Sequence, residues 1–487
     1  MLALTLVAFL LRTPYLDAQS LWRDEVDVIR LAAELWSRLT GDLLQARHNG
    51  PLFYLVMRGW LALAGESEFA LRYVSLCGGI LAVPLTYWVG RRLVGTRAGV
   101  MAAVLVTISA YLIWYGQDAK MYALVTALTL LALGCELEAL TTGRLGWWAG
   151  FVLSASVALY IHVLSALMIP VYWVGLGLAW PHRRGARWPG LLALGLLTLP
   201  YVPLAVWQWP LVLNSYDTGH PFYPPGQMLS ALFNLQARGV ALVGGWVAVA
   251  GFVFAILGGL FSPLEPDRPG RWASRPPFRP GQVRARLWLL AWLSLPLLLV
   301  YLISLRAPVF EPRYLIFIAP AFYLLTGLGL VALSRLSWVA AGSAMAVIVS
   351  FSLLGVWVQA TTPIKSDFRG AASFVMTHRR EDTPIMFQMP YVRHTFDYYF
   401  EGTYTPLEGP WTNAGQGQAQ VTRLMDEALQ GYPEVWLVAS ESWLWDSRGL
   451  TQAWLEQNGH LLESAHFALV DVYHYALSGP TPATTGE

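Results

Sequence analysis

Ser20-Leu-Trp-Arg-Asp-Glu-Val-Asp27 follows the first apolar run of the chain, which extends from Met1 to about Leu16. Runs of that kind recur along the 487 residues, and their recurrence decides the fold class. Hydrophobic residues make up 56% and charged residues 13%, against about 25% charged in a soluble domain. Mean hydropathy is +0.47. Only helices or closed barrels satisfy their backbone in lipid, so the pattern reads as an all-α polytopic membrane protein. Carboxylates beside a bilayer are costly to place, which makes Asp24 and Glu25 a candidate site. On an outward-facing loop the pair is suited to act as a base on lipid-borne substrates. The plainer reading is a solvated helix start with Asp24 as N-cap.

Eleven spans are expected, centred near residues 9, 80, 106, 130, 154, 171, 198, 249, 295, 323 and 347. Arginines collect in the loops after even-numbered spans: Arg91, Arg92 and Arg97, then Arg144, then Arg183, Arg184 and Arg187. The richest loop, about Pro263 to Arg286, carries Arg268, Arg271, Arg275, Arg279, Arg284 and Arg286. The positive-inside rule makes these loops and the N-terminus cytoplasmic. Asp24, Glu25, His48, Gln117, Asp118, Lys120, His162, Asp217, His220 and the stretch Arg306 to Arg313 then share the outer face. External loops also tolerate polar residues of any kind, which is the simpler account of that grouping.

The net charge of +2 says little, and no nucleic-acid partner is expected. Lys120 and Lys365 are the only lysines. Cys77 and Cys135 fall in apolar stretches and read as core residues, not as a disulfide or metal pair. The first run has no basic n-region and no small-residue cleavage site, so no cleavable signal is expected.

The first external loop spans about residues 17–68. Val26 to Leu44 has the spacing of an amphipathic interfacial helix. A turn at His48-Asn-Gly-Pro51 leads into a further apolar helix. A second external loop, Trp207 to Gln236, is rich in Pro, Tyr and Trp, as in lipid or sugar grooves and in interfacial anchors alike. Beyond residue 360 the apolar runs stop. Helices over Phe368–His378 and Gly449–Asn458, with strands over Pro384–Gln388, Glu434–Val438 and Phe467–Ala476, predict a small α/β domain over 361–487. An odd number of spans places it outside.

Three more stretches carry candidate chemistry. His48 can ligate a metal, bind a phosphate or simply be hydrogen-bonded. Trp114-Tyr-Gly-Gln-Asp-Ala-Lys-Met-Tyr122 is a short external turn in which Lys120 can neutralise a phosphate and Asp118 can pair with it or join a metal. In Glu311-Pro-Arg-Tyr314, Arg313 sits at the mouth of the tenth span, where a guanidinium suits a phosphate or simply snorkels. Arg72 is a weaker version of the same idea.

In order, Trp22-Arg-Asp-Glu25, His48-Asn-Gly-Pro-Leu-Phe-Tyr54, Gly65-Glu-Ser-Glu-Phe-Ala-Leu-Arg72, Trp114–Ala123 and Glu311–Tyr314 resemble the bacterial GT-C membrane glycosyltransferases. That branch includes the protein O-mannosyltransferases and the lipid A aminoarabinose transferases. The resemblance covers about 1–360, the transmembrane domain. The tail, with Asp367–Ala372 and Tyr391–Tyr399, is similar to the C-terminal domains of bacterial members.

The resemblance implies a multi-pass protein of the bacterial inner membrane with a periplasmic or extracellular C-terminal domain. It implies inverting transfer of a sugar from a polyprenyl-phosphate donor to a protein, lipid or envelope-glycan acceptor. Asp24 would be the general base, with Glu25 orienting it or contacting the sugar. Lys120, Arg313, Arg72 and Tyr314 would hold the donor phosphate. His48, Gln117, Asp118 and Tyr122 would line the substrate pocket, and His48 with Asp118 would hold a divalent metal where one is used. His48-Asn-Gly-Pro stands where many relatives have His-Pro-Pro, and Lys120 where many have Arg. The competing class is a transporter or flippase of a lipid-linked saccharide; against it, the charges cluster at one face and not at mid-membrane.

Overall fold

The computed structural model describes residues 1–34, 50–180, 184–213, 220–261, 283–380 and 382–478. The chain divides into two compact units. One comprises Met1–Leu16 with Leu31–Thr361, the other Asp17–Arg30 with the chain from Thr362 onward. Part of the long first loop thus groups with the C-terminal residues.

The first unit is helical, and each of the eleven expected centres falls inside a helix. Glu68–Leu93, Tyr122–Thr142, Gly185–Val206, Val283–Ser304, Pro312–Leu336 and Trp338–Thr361 are long and apolar enough to cross a membrane. Thr96–Ile108 with Ala110–Gly116 adds a seventh candidate, bent by 58°. Leu2–Arg12, Leu52–Ala64, Leu145–Ile161, Val163–Ala179 and Gly245–Phe261 are apolar but shorter. Helices pack in lipid by close backbone approach at small residues. A Cβ on Gly78 would stand 2.8 Å from the Leu124 nitrogen, and one on Gly329 would stand 1.6 Å from the Ala255 carbonyl oxygen. Cys135 is buried as expected, whereas Cys77 is exposed on the surface of its helix. An apolar run does not distinguish a core-facing position from a lipid-facing one.

The bend at Ser109 shapes this unit. Ser109 has extended backbone, and its Oγ accepts the Leu112 N–H, capping the helix Ala110–Gly116. Breaking a span leaves carbonyls without their usual donors, and in lipid those must be met by protein. Arg12 meets them. Its guanidinium is fully buried and donates to the carbonyls of Thr107 (3.0 Å) and Val106 (2.9 Å). Gly79 and Gly116 line its slot: a Cβ on either would lie 3.3 to 3.7 Å from the arginine side chain. From the other side, Ser109 Oγ is hydrogen-bonded to Tyr323 Oη (2.6 Å), and Gln359 Nε2 donates to the Ala110 carbonyl (2.9 Å).

The second unit contains a five-stranded sheet in the order β2-β1-β3-β5-β4. The strands are β1 Ile385–Phe387, β2 Pro406–Glu408, β3 Glu434–Ser440, β4 Gly459–Phe467 and β5 Val470–Leu477. β1 pairs parallel with β2 and β3, while β5 pairs antiparallel with β3 and β4. The strand expected over Phe467–Ala476 is β5 from Val470 onward, while Phe467 ends β4, and Leu469, with φ 55°, turns the chain between them. β4 escaped notice because its residues are mostly exposed and carry no clean alternation. Side chains alternate across the sheet. Ile385, Phe387, Trp436 and Val438 pack on Phe368, Val375 and Phe396, while Met386, Val435 and Leu437 pack on Val421, Met425 and Leu455. Helices therefore cover both faces, which explains the nearly continuous apolar runs of β1 and β3.

Replacing Arg12 by Met should leave two buried carbonyls without a donor, at about 1–3 kcal/mol each. Thermal unfolding in detergent should show a clearly lower midpoint than wild type. A midpoint equal to wild type would mean that the bend at Ser109 is held by other contacts.

Candidate functional site

Asp24 and Glu25 form the first turn of the helix Arg23–Ala33, where the N-terminal dipole favours negative charge. Glu25 is fully buried, and its Oε2 lies 2.9 Å from Lys365 Nζ, itself almost buried. Asp24 is half-buried. The approach to this helix is fastened by backbone bonds. Ser20 Oγ donates to the Ser366 carbonyl (2.7 Å), the Leu21 N–H to Tyr399 Oη (2.6 Å), and Arg369 Nη2 to the Asp17 carbonyl (2.8 Å). Gln19 Oε1 accepts the N–H groups of Ile364 and Lys365, both at 2.9 Å. Arg23 pairs with Glu441 at 3.4 Å. The acidic stretch is thus built into the second unit by a network whose members lie more than 300 residues apart in sequence.

In the first unit a second cluster forms where helices are interrupted. Val163–Met168 and Pro312–Ile318 are 3-10 turns that each run on into an α-helix. Trp292 Nε1 donates to the Phe317 carbonyl (3.0 Å), and Tyr111 Oη to the Pro312 carbonyl (3.1 Å), so neighbouring helices hold the second of these turns. The turn after Gly116 brings Tyr122 to the same place. The Tyr122 ring centroid lies 6.3 Å from that of Tyr314 and 5.9 Å from that of His162. His162 and His220 stand 5.9 Å and 6.1 Å from the Tyr314 ring. His220 Nδ1 is 3.6 Å from Glu311 Oε1, and the Arg313 guanidinium lies 5.8 Å from the Tyr314 ring centroid. Aromatic, imidazole and guanidinium groups converge here at helix ends. Guanidinium and imidazole recognise phosphate oxygens, and tyrosine adds a hydroxyl and an aromatic face.

The structure thus brings Tyr122, Arg313 and Tyr314 together. Asp118 is buried in the neighbouring turn, and Lys120, whose carbonyl accepts from Ser75 Oγ (2.6 Å), is half-buried there. Gln117 donates from Nε2 to the Arg12 carbonyl (2.8 Å). Arg72 is buried and donates from Nη1 to the Leu16 carbonyl (2.7 Å). His48 and Asp217 lie outside the described residues. Gly50, from the same motif as His48, abuts Tyr160: a Cβ there would stand 2.2 Å from the Tyr160 carbonyl oxygen. The position therefore requires glycine.

Among the described residues no three His, Cys, Asp or Glu side chains gather as a metal would need, and Asp118 has no such set around it. Sequence reasoning put His162 and His220 on the outer face without a role, because a lone histidine carries no local motif. It also missed Lys365 as the counter-ion of Glu25. The signal was its rarity, one lysine of two in a chain whose basic residues are otherwise arginine.

The profile of the family described as dolichyl-phosphate-mannose-protein mannosyltransferase matches residues 48–207. The fold is similar to ArnT from Cupriavidus metallidurans bound to undecaprenyl phosphate, with TM-score 0.57, 13% identity and 97% of each chain covered. This chain adopts the GT-C fold. The apo oligosaccharyltransferase of Archaeoglobus fulgidus is also similar, with TM-score 0.57 and 13% identity, covering 98% of this chain and 74% of that one. The archaeal oligosaccharyltransferase AglB from Archaeoglobus fulgidus, in complex with an inhibitory peptide and a dolichol-phosphate, matches at TM-score 0.55 and 12% identity, covering 99% and 75%. No curated protein matches the sequence. On this GT-C scaffold the second unit is the small α/β domain, and the helical unit carries the interrupted helices.

Removing one partner of a buried ion pair strands the other charge. Lys365→Met should destabilise the second unit by about 3–5 kcal/mol, and adding Glu25→Gln should recover part of that loss. Thermal unfolding of the single and double variants checks the coupling. Strictly additive losses would mean that the pair does not act as a unit.

Proposed function

We propose that this protein is a membrane glycosyltransferase that takes a sugar from a polyprenyl-phosphate donor. It delivers the sugar to a hydroxyl of a protein, lipid or envelope-glycan acceptor on the outer face of a bacterial inner membrane. One observation carries the reading: Arg313, Tyr314, Tyr122 and His220 converge at interrupted helix ends of a GT-C scaffold. Such a cluster suits an anionic lipid headgroup, and the similar ArnT structure is bound to undecaprenyl phosphate.

In the proposed reaction the acceptor oxygen attacks the anomeric carbon from the face opposite the phosphate. The bond between that carbon and the phosphate oxygen breaks, and configuration inverts. Polyprenyl phosphate leaves with the electron pair, and Asp24 takes the acceptor proton. Glu25, tied to Lys365, positions the turn that carries Asp24. Arg313 and Lys120 hold the phosphate, with Tyr314 beside it. Their charge matters most as the leaving group develops its own. Tyr122, Asp118, Gln117 and His48 belong to the pocket wall, and Arg72 steadies Leu16 in the turn after the first helix.

Purified protein in nanodiscs, offered polyprenyl-phosphate sugars with a cell-wall extract, should release free polyprenyl phosphate, measured by mass spectrometry. Asp24→Asn should abolish release while leaving donor binding and thermal stability near wild type. Turnover close to wild type in that variant would remove Asp24 from the role of base.

Arg313→Ala should weaken donor binding as well as rate, because the guanidinium contacts the phosphate before and during transfer. Titration of the lipid into nanodiscs measures the affinity directly. An unchanged dissociation constant would exclude the phosphate contact.

A further inference from the structure

His162 lies between the helix Leu145–Ile161 and the 3-10 turn Val163–Met168. It is 2% exposed. Its Nδ1 accepts the N–H of Leu164 at 3.2 Å. A nitrogen that accepts a hydrogen bond carries no proton, so the neutral ring carries its proton on Nε2. Nε2 is buried and has no hydrogen-bond partner among the described residues. Among the described residues the ring is therefore an oriented N–H donor without an acceptor, beside Tyr122 and Tyr314. A buried donor left unmet is a standing cost, and proteins keep such groups where a ligand meets them.

We propose that His162 is a ligand-binding residue whose Nε2–H donates to a phosphate oxygen. This rests on the function proposed above and adds a residue to it. The acceptor must reach a dry, tyrosine-lined position. Arg313 stands beside Tyr314 on the same cluster, and His220 with Glu311 closes another side of it. An anionic oxygen is the acceptor that a fixed neutral donor serves best in a cluster that also carries a guanidinium. The Nδ1 bond to Leu164 fixes both the tautomer and the ring angle in advance, so nothing need be reordered when the ligand arrives.

Two substitutions separate binding from structure. In His162→Asn the side-chain oxygen takes the place of Nδ1, so the Leu164 N–H keeps its acceptor while the Nε2 donor is lost. In His162→Gln the amide nitrogen takes the place of Nε2, so the donor survives and the Leu164 contact is lost. Undecaprenyl phosphate is titrated into nanodiscs carrying the full chain, with inorganic phosphate offered in parallel and thermal midpoints recorded.

His162→Asn should bind undecaprenyl phosphate about ten-fold more weakly or worse, with a midpoint near wild type. His162→Gln should bind within about three-fold of wild type, with the lower midpoint of the two. If wild type binds only the lipid, the bond belongs to the lipid headgroup. If it binds both, the site takes any phosphate, and the Asn variant must lose both. Wild-type affinity in His162→Asn, or affinities that simply follow the two midpoints, would overturn the assignment. Arg313→Ala serves as the comparison. Loss there with none in His162→Asn overturns this inference alone, whereas no binding by wild type overturns it together with the phosphate reading.

Discussion

The helical unit depends on how it meets the backbone groups released where a span is broken. A polypeptide in lipid cannot leave carbonyls bare, and three interruptions, at Ser109, at His162–Met168 and at Pro312–Ile318, release several. At Ser109 and at Pro312–Ile318 side chains from other helices meet them. Arg12 serves Val106 and Thr107, Gln359 serves Ala110, Tyr111 serves Pro312 and Trp292 serves Phe317. A continuous helix presents only side chains to its neighbours. An interrupted one presents a corner, and the corners bring Tyr122, His162, His220 and Tyr314 to one place. The same bonds that make the breaks tolerable also fix the geometry of the candidate site.

The second unit solves a related problem in a different medium. Its sheet, covered by helices on both faces, supplies a rigid base to which Asp17–Arg30 is fastened. The buried Glu25–Lys365 pair is central to that attachment. Burying two charges contributes little net stability compared with apolar residues of the same size. It ties the helix bearing Asp24 to Lys365 at one point, 2.9 Å from Glu25 Oε2.

Much of this was legible along the chain. Hydropathy marked every helix of the helical unit that was expected to span. The motifs Trp114–Tyr122 and Glu311–Tyr314 named Tyr122, Arg313 and Tyr314, because a cation or tyrosine at the mouth of an apolar run is conspicuous. Parallel strands buried on both faces announced β1 and β3. The edge strand β4 went unmarked because exposure on both faces erases the alternation that identifies a strand. Arg12 closes an apolar run that gave no hint of a cap, and the bond from Gln117 to its carbonyl joins two residues that no local pattern connects. Gly50 looked like a turn former, whereas its constraint is the Tyr160 carbonyl against it.

The sequence by itself determined that this is a polytopic helical membrane protein with a small α/β domain after residue 360, because hydropathy and period act locally. It also determined which short stretches carry charge where charge is costly. Only the tertiary structure decided that Glu25 belongs to Lys365, that Arg12 caps a broken span, and that His162 and His220 join Tyr122 and Tyr314. Those pairings join residues from distant parts of the chain, and a hydrogen bond or ion pair across such a gap leaves no periodicity to read. It exists only once the helices have packed and the backbone groups have been shared out among them.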